Sequence, residues 1–586
     1  MSFLKGFLTS CLGAMTAMLL VLFGIIALVS MSGGDEIVVR DDSVLTLELN
    51  VPIIETEKEN PFSGLTIFGV DSPEPIGLAQ LKQSIKHAKS DSKIEGIYLS
   101  MSYPMTGFTV LEEIRESLID FRESGKWVIA YSDVLSEGAY YLASAADKVF
   151  LNPEGEVEFN GLAVEINFFK RLFDKLDIKP EVFRVGEFKS AVEPFLFEKM
   201  SEANRLQLSE MIDSIYDEIL QSISESRAIP KPELKEISDK MIVRNAELAK
   251  QYGLVDSLLY KDQVEQEMRR RVGIKDDKRV EYVSYYKYKR SFSTYSRSDN
   301  EIAVVVAEGT ILPGKANPGQ DIIGSETFSK ELRKVRDNKK VKAVVIRINS
   351  PGGSSLASDI MWREIALTSA KKPVIASMSD YAASGGYYMA MGCDTIVAHP
   401  HTITGSIGVF SVLYDASGFL NNKIGITSEE LKTGEIGELV TINRPLRDSE
   451  KAIWQKRTEE IYETFTRKAA EGRGMTVESI KKIASGRVWT GIQAQERGLV
   501  DIIGSYEDAV KLAAEAAGVA DDYKVRIYPQ YTPTLIEQLL DQLDEEAQIR
   551  NEKAVLGSYY YLYQRWKNVK SYEGTQARLP FEMKIQ

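Results

Sequence analysis

The chain repeats itself. Ser136-Glu-Gly-Ala-Tyr-Tyr-Leu-Ala-Ser-Ala-Ala-Asp147 can be laid over Ala383-Ser-Gly-Gly-Tyr-Tyr-Met-Ala-Met-Gly-Cys-Asp394 at an offset of 247, which brings Tyr140, Tyr141 and Asp147 onto Tyr387, Tyr388 and Asp394. Further on, Tyr252-Gly-Leu-Val-Asp256 falls on Arg497-Gly-Leu-Val-Asp501 at an offset of 245. Ser43–Leu49 and Glu301–Ala307 both read as apolar strands near the start of each half. A period this long excludes a solenoid and points to two homologous domains in tandem. The length of 586 residues also exceeds what one core sustains.

The expected division is a first repeat over 40–280, a second over 300–519 and an extension over 520–586, with Tyr282–Asn300 as the join. In the extension, Thr534–Ala554 reads as helical and Gly557–Lys570 is rich in aromatic residues. In the second half, Ala303–Val306, Ala343–Ile348, Pro373–Ser377 and Thr395–Ala398 read as short strands. Ser325–Arg336 has helical spacing, and Arg447–Gly472 is a long amphipathic helix. Strands alternating with helices imply βαβ units, mostly parallel strands and an α/β fold.

The N-terminus sets the expected compartment. No charged residue occurs between Gly6 and Gly34, and Phe7–Met31 is almost wholly apolar. About 25 such residues suffice to cross a hydrocarbon core, whereas a cleavable signal sequence carries a shorter run. An uncleaved transmembrane anchor over 7–31 is therefore expected, with cleavage after the small residues near Ser30–Gly34 as the alternative. Lys5 before it and Asp35 and Glu36 after it place the remaining chain outside the cytoplasm. The net charge of −13 and the absence of a dense basic cluster argue against nucleic acid as a partner. Cys11 and Cys393 are too far apart in character to form a disulfide framework, and so few Cys and His residues leave a structural zinc site without ligands.

Two segments have the make-up of a reaction centre. Ile348-Asn-Ser-Pro-Gly-Gly-Ser354 follows a strand and precedes a helix, and its glycines let backbone N–H groups approach a ligand. Its spacing fits neither a phosphate-binding P-loop nor a dinucleotide-binding turn. In Asp380-Tyr-Ala-Ala-Ser-Gly-Gly-Tyr-Tyr388, small residues flank Ser384, as suits a serine exposed at a sharp turn that opens a helix. The first repeat carries Glu137 in place of Ser384, which permits one functional and one retired copy. A serine nucleophile needs a base. His87, His399 and His401 are poor candidates: the first sits in a lysine-rich helical stretch, and the others flank Pro400. A lysine made neutral by burial could serve instead, but 72 Lys and Arg residues leave composition unable to choose.

Gly186-Glu-Phe-Lys-Ser-Ala-Val-Glu-Pro194, Asn349-Ser-Pro-Gly-Gly353, Tyr381-Ala-Ala-Ser-Gly-Gly386, Thr404-Gly-Ser-Ile-Gly-Val409 and Val488-Trp-Thr-Gly491, in this order and with the duplication, resemble the long two-repeat form of bacterial signal peptide peptidase A. The resemblance implies tandem crotonase/Clp-protease-like domains and a Ser-Lys dyad divided between the repeats. It makes Ser384 the nucleophile, Lys189 the general base, the N–H groups of Gly353 and Gly385 the oxyanion hole, and Ser406 a polar neighbour of the lysine. Gly437, in Leu431-Lys-Thr-Gly-Glu-Ile-Gly437, then stands where Lys189 stands in the first repeat. The implied activity is hydrolysis of remnant signal peptides at the bacterial inner membrane, by a bowl-like homotetramer with an apolar groove and no cofactor. A crotonase-type thioester enzyme and an inactive peptide-binding scaffold are the alternatives, and Lys189→Ala discriminates among them.

Overall fold

The computed structural model describes residues 38–57, 75–275, 277–293, 297–316, 321–529 and 574–578, together with residues 13 and 16. The expected anchor over 7–31 and most of the extension, including Thr534–Ala554 and Gly557–Lys570, lie outside the described residues. Among the described residues, no helix is long and apolar enough to cross a membrane.

The duplication reappears as a repeated strand order. The first sheet runs Ser257–Leu258, Lys148–Val157, Trp127–Leu135, Ile94–Ser100, Ser43–Glu48, Glu281–Ser284, with every pair parallel. The second runs Ile502–Ile503, Thr395–Ala398, Val374–Ala383, Val341–Ser350, Glu301–Glu308, Lys524–Tyr528, again parallel. Ile403–Gly405 and Val488–Thr490 extend it beside the second half of Val374–Ala383. The central strands are near-continuous apolar runs because helices cover both faces of a parallel sheet: Val344, Val345, Ile346 and Ile348 are all buried, as are Val374, Ile375, Ala376 and Met378.

The outermost strands lie just beyond the boundaries expected at 280 and 519. The join is correspondingly more structured than its composition indicates. Tyr285–Tyr288 is a helical turn whose Tyr285 and Tyr288 rings are buried, with hydroxyls donating to Glu57 (2.5 Å) and Asp91 (2.9 Å). Tyrosine buries a ring while keeping its hydroxyl partnered, so a segment without aliphatic periodicity still packs. The long helix spans Asp448–Arg473.

A third sheet joins the halves. Its order is Ile322–Gly324, Thr310–Leu312, Gly352–Ser354, Gly574–Arg578, Val409–Asp415, Lys179–Val185. The last strand belongs to the first repeat and pairs antiparallel with Val409–Asp415 of the second. The seam is also closed by packing: Ala383, Ile403 and Val488 of the second repeat lie in the first repeat's core. Buried charges at the seam are paired. Arg347 pairs with Glu55 (2.8 Å) and Glu113 (2.7 Å), and Lys82 pairs with Glu113 (2.6 Å). A water-sized cavity opens among Glu55, Lys82, Glu113 and Arg347, on the seam rather than at the serine described next.

Candidate active site

Strand Val374–Ala383 delivers Ser384 to the start of helix Gly385–Ala390. The turn is held from both sides: the Ser384 N–H donates to Gly405 O and the Ser384 carbonyl accepts from the Tyr388 N–H, both at 2.8 Å. Ser384 itself has φ 55° and ψ −108°, a conformation that side-chain-bearing residues avoid. Such strain costs on the order of 1–3 kcal/mol and persists only where the surroundings over-determine it. Glycine at 386 lets the turn close against the preceding loop, since a Cβ there would stand 2.8 Å from Ser350 O. The Gly385 N–H is among the first of its helix, which have no intrahelical acceptor.

Lys189 comes from the other repeat. The pairing of Lys179–Val185 with Val409–Asp415 carries the chain past Gly186 to Lys189, directly over the segment that precedes Val409. Its Nζ lies 2.8 Å from Ser384 Oγ, 3.0 Å from Ser406 Oγ and 3.1 Å from Ser406 O. Ser384, Ser406 and Lys189 are all fully buried. The Ser406 hydroxyl donates to Gly486 O (3.3 Å), so its oxygen is free to accept from the lysine. With two N–H bonds spent on Ser406, a neutral amine has its lone pair left for the Ser384 hydroxyl. Burial alone pushes the Lys189 pKa well below the ordinary lysine value. Among the described residues, no charged neighbour opposes that shift.

Gly353 lies in the short strand Gly352–Ser354, opposite Ile311. A Cβ on Gly353 would stand 2.0 Å from Ile311 O, so only glycine fits. The segment between the preceding strand and the following helix thus contributes Gly352–Ser354 as a strand of the third sheet. Beside it, Gly574–Arg578 of the same chain runs antiparallel, Gly353 facing Ala577, and its other edge pairs antiparallel with Val409–Asp415. An extended segment therefore already lies along the two strands that flank the serine.

Several residues that hold Lys189 were not singled out in the sequence. A Cβ on Gly486 would meet Lys189 Cβ at 2.6 Å, and one on Gly408 would meet Lys189 Cδ at 3.2 Å. These glycines wall the channel that the lysine stem occupies. Ser485 O accepts from the Phe188 N–H (2.9 Å), while Gln207 Nε2 donates to Phe188 O (3.1 Å) and Gln207 Oε1 accepts from the Val488 N–H (3.3 Å). The usable signal was Ser485-Gly486-Arg487, immediately ahead of the Val488-Trp-Thr-Gly491 segment. Gly437 lies in an exposed stretch. His399 and His401 are buried at the seam, and burial pushes their pKa down to about 4 and about 3. His401 bonds to Tyr141, and His399 faces Glu113 at 3.5 Å.

The chain matches the model of Peptidase family S49 twice, over residues 120–275 and 366–520. Lys189 falls in the first match and Ser384 in the second. It is 36% identical to "Serine protease SPPA, chloroplastic" of Arabidopsis thaliana, over 85% of this chain and 72% of that protein. It is 36% identical to "Protease 4" of Salmonella typhi over 82% of this chain and 78% of the relative, and 33% identical to "Protease 4" of Haemophilus influenzae over 82% and 80%. Among solved structures, ClpP1 from Listeria monocytogenes overlays 36% of this chain and 94% of its own, at 20% identity and a TM-score of 0.24.

Proposed function

Because this chain belongs to peptidase family S49 and is a serine protease, we propose that it cleaves peptide bonds with Ser384 as nucleophile and neutral Lys189 as general base, and that its substrates are remnant signal peptides. The observation that supports this reading best is the 2.8 Å approach of Lys189 Nζ to Ser384 Oγ across two repeats, with burial as the sole influence on the amine.

In the proposed reaction Ser384 Oγ attacks the scissile carbonyl carbon while its proton passes to Lys189 Nζ. The N–H groups of Gly353 and Gly385 hold the oxyanion, the more strongly because they are fixed beforehand in a site shielded from water. Collapse breaks the C–N bond, and Lys189 gives its proton to the leaving amine. Water then attacks the acyl ester, again giving a proton to Lys189, and Ser384 is restored. Ser406 keeps the amine aimed through both halves of the cycle. The antiparallel seat taken by Gly574–Arg578 fits an extended substrate bound by main-chain pairing on both edges.

Residues 7–31 would anchor the chain in the inner membrane, with the repeats outside the cytoplasm, beside the released apolar peptides. Crotonase-like repeats and a homotetramer complete the reading. The test is labelling by a fluorophosphonate at mildly alkaline pH, read by mass spectrometry. Modification confined to Ser384 and abolished in Lys189→Ala is expected. Persistent labelling in that variant would refute the assigned base, and an unlabelled wild type would refute the activated serine.

A further inference from the structure

Helix Phe108–Arg122 of the first repeat begins without a cap of its own, because Gly107 at its N-cap has no side chain to accept a hydrogen bond. The first N–H groups of a helix need acceptors, and a carboxylate there also meets the positive end of the helix dipole. The acceptor comes from the other repeat. Asp380 Oδ2 accepts from the Gly107 N–H (3.1 Å), and Oδ1 accepts from the N–H groups of Thr109 (3.0 Å) and Val110 (3.4 Å). The approach is close enough that a Cβ on Gly107 would stand 2.3 Å from Asp380 Cγ. Asp380 belongs to Val374–Ala383, the strand that ends at Ser384.

The duplication supplies an internal control. At the same offset of 247, helix Ser355–Ser369 is capped by its own Ser354, whose hydroxyl accepts from the Ala357 N–H. Asp133, the first-repeat equivalent of Asp380, is exposed, and among the described residues its carboxylate bonds to Tyr131 and Asn152 of its own repeat. The cross-repeat cap therefore exists in one direction only: it ties the first repeat to the strand that bears the serine.

We propose that Asp380 is a positioning residue, clamping the first repeat to the serine-bearing strand so that Lys189 and Ser384 stay in register. The inference rests on those two residues being the reacting pair. Besides the helix N-terminus, the charged groups facing Asp380 are Glu55, which opposes its ionisation, and Arg347, which favours it. Burial is the largest influence, and together they push the carboxyl up to about 6. The ionised clamp is thus lost as pH falls through that value.

Three proteins test the clamp: wild type, D380N, and a double variant D380A/G107S, which gives the helix the local serine cap that the second repeat already has. Each is assayed for kcat and KM on a fluorogenic peptide across pH and for thermal unfolding. D380N is expected to lose about 10- to 100-fold in kcat, the scale of a misplacement of order 1 Å, with KM little changed. Its acid limb should also become shallower, because one of two required ionisations is gone. D380A/G107S should recover thermal stability but not kcat. Recovery of kcat in the double variant would reduce Asp380 to a helix cap, and an unaltered kcat and pH profile in D380N would overturn the proposal. Failure of the underlying dyad reads out separately, as labelling that survives in Lys189→Ala.

Discussion

Glu137 and Ser384 occupy the same strand-to-helix turn in the two repeats, and only one of the turns is strained. In the first repeat Ser136 is the N-cap in extended conformation (φ −63°, ψ 166°), its hydroxyl accepts from the Ala139 N–H, and Glu137 opens the helix. In the second, the helix begins one step later, and Ser384 is the N-cap at φ 55° with no capping bond from its side chain. The N-cap serine of one copy, Ser136, spends its hydroxyl on the helix, whereas Ser384, one position later in the alignment, turns its hydroxyl toward an amine. Glu137 turns its carboxylate onto the N–H groups of Asn160 (3.1 Å) and Gly161 (2.9 Å), the equivalents of Ile407 and Gly408. The neighbouring loop has changed in step: Pro104 matches Pro351, but Met105 and Thr106 stand where Gly352 and Gly353 do. The strained turn, the Gly352–Gly353 pair and a hydroxyl facing an amine occur together in the second repeat, and the first has none of the three at the equivalent positions. This is expected if the strain, held in place by the surrounding fold, is kept for chemistry.

The largest expected effect breaks the symmetry outright. Ser384→Ala should lower kcat about 10⁴-fold or more, whereas Glu137→Ala should leave kcat near wild type. The latter variant should instead cost about 1–3 kcal/mol of stability, from the loss of two part-buried hydrogen bonds at about 0.5–1.5 kcal/mol each; urea unfolding and peptide hydrolysis measured on both variants check the contrast. Next comes Gly353→Ala. The new Cβ would press on Ile311 O and displace the Gly353 N–H, the proposed oxyanion donor; its misplacement should cost up to about 10²–10³ in rate, the scale of losing one such donor. Thr106→Ala at the equivalent place should change the rate little. Smaller again is Ser406→Ala, which removes one bond to the Lys189 amine but keeps the backbone carbonyl. About tenfold in kcat is expected, from roughly 1.4 kcal/mol, with the acid limb displaced.

The last prediction concerns stability and pH. Burial depresses the folded pKa of Lys189, so between that value and the unfolded value of about 10.4 the unfolded chain holds a proton that the folded chain does not. The cost of burying the amine is therefore full below the folded pKa, falls as pH rises, and is gone above the unfolded pKa. Lys189→Met should raise Tm near neutral pH, and that gain should shrink toward alkaline pH. A gain that does not vary with pH would mean that the amine is not titrating in this window.

Much of the architecture was legible before any coordinates. The repeat offset, the strands around Ala343–Ile348 and Thr395–Ala398 and the long helix near Arg447–Gly472 follow from periodicity, which local side-chain pattern dictates. Ser384 was legible as a serine among small residues at a turn. Lys189 was not: it is one of 72 basic residues, and only the family resemblance marked it. Gly408 and Gly486 were equally silent, because a glycine whose role is to leave room for a distant side chain looks like any other loop glycine.

The sequence alone determined that two similar α/β units follow one another, that one copy has a serine where the other has a glutamate, and that histidine is a poor partner for it. Those conclusions rest on local pattern and on comparing the chain with itself. Only the tertiary structure decided which lysine meets Ser384, that Asp380 caps a helix of the other repeat, and that His399 and His401 are seam residues. Such contacts join positions far apart along the chain through sheet pairing and packing, and burial then sets the chemistry of the groups they enclose: an amine shut away from water has its pKa held well below the ordinary lysine value.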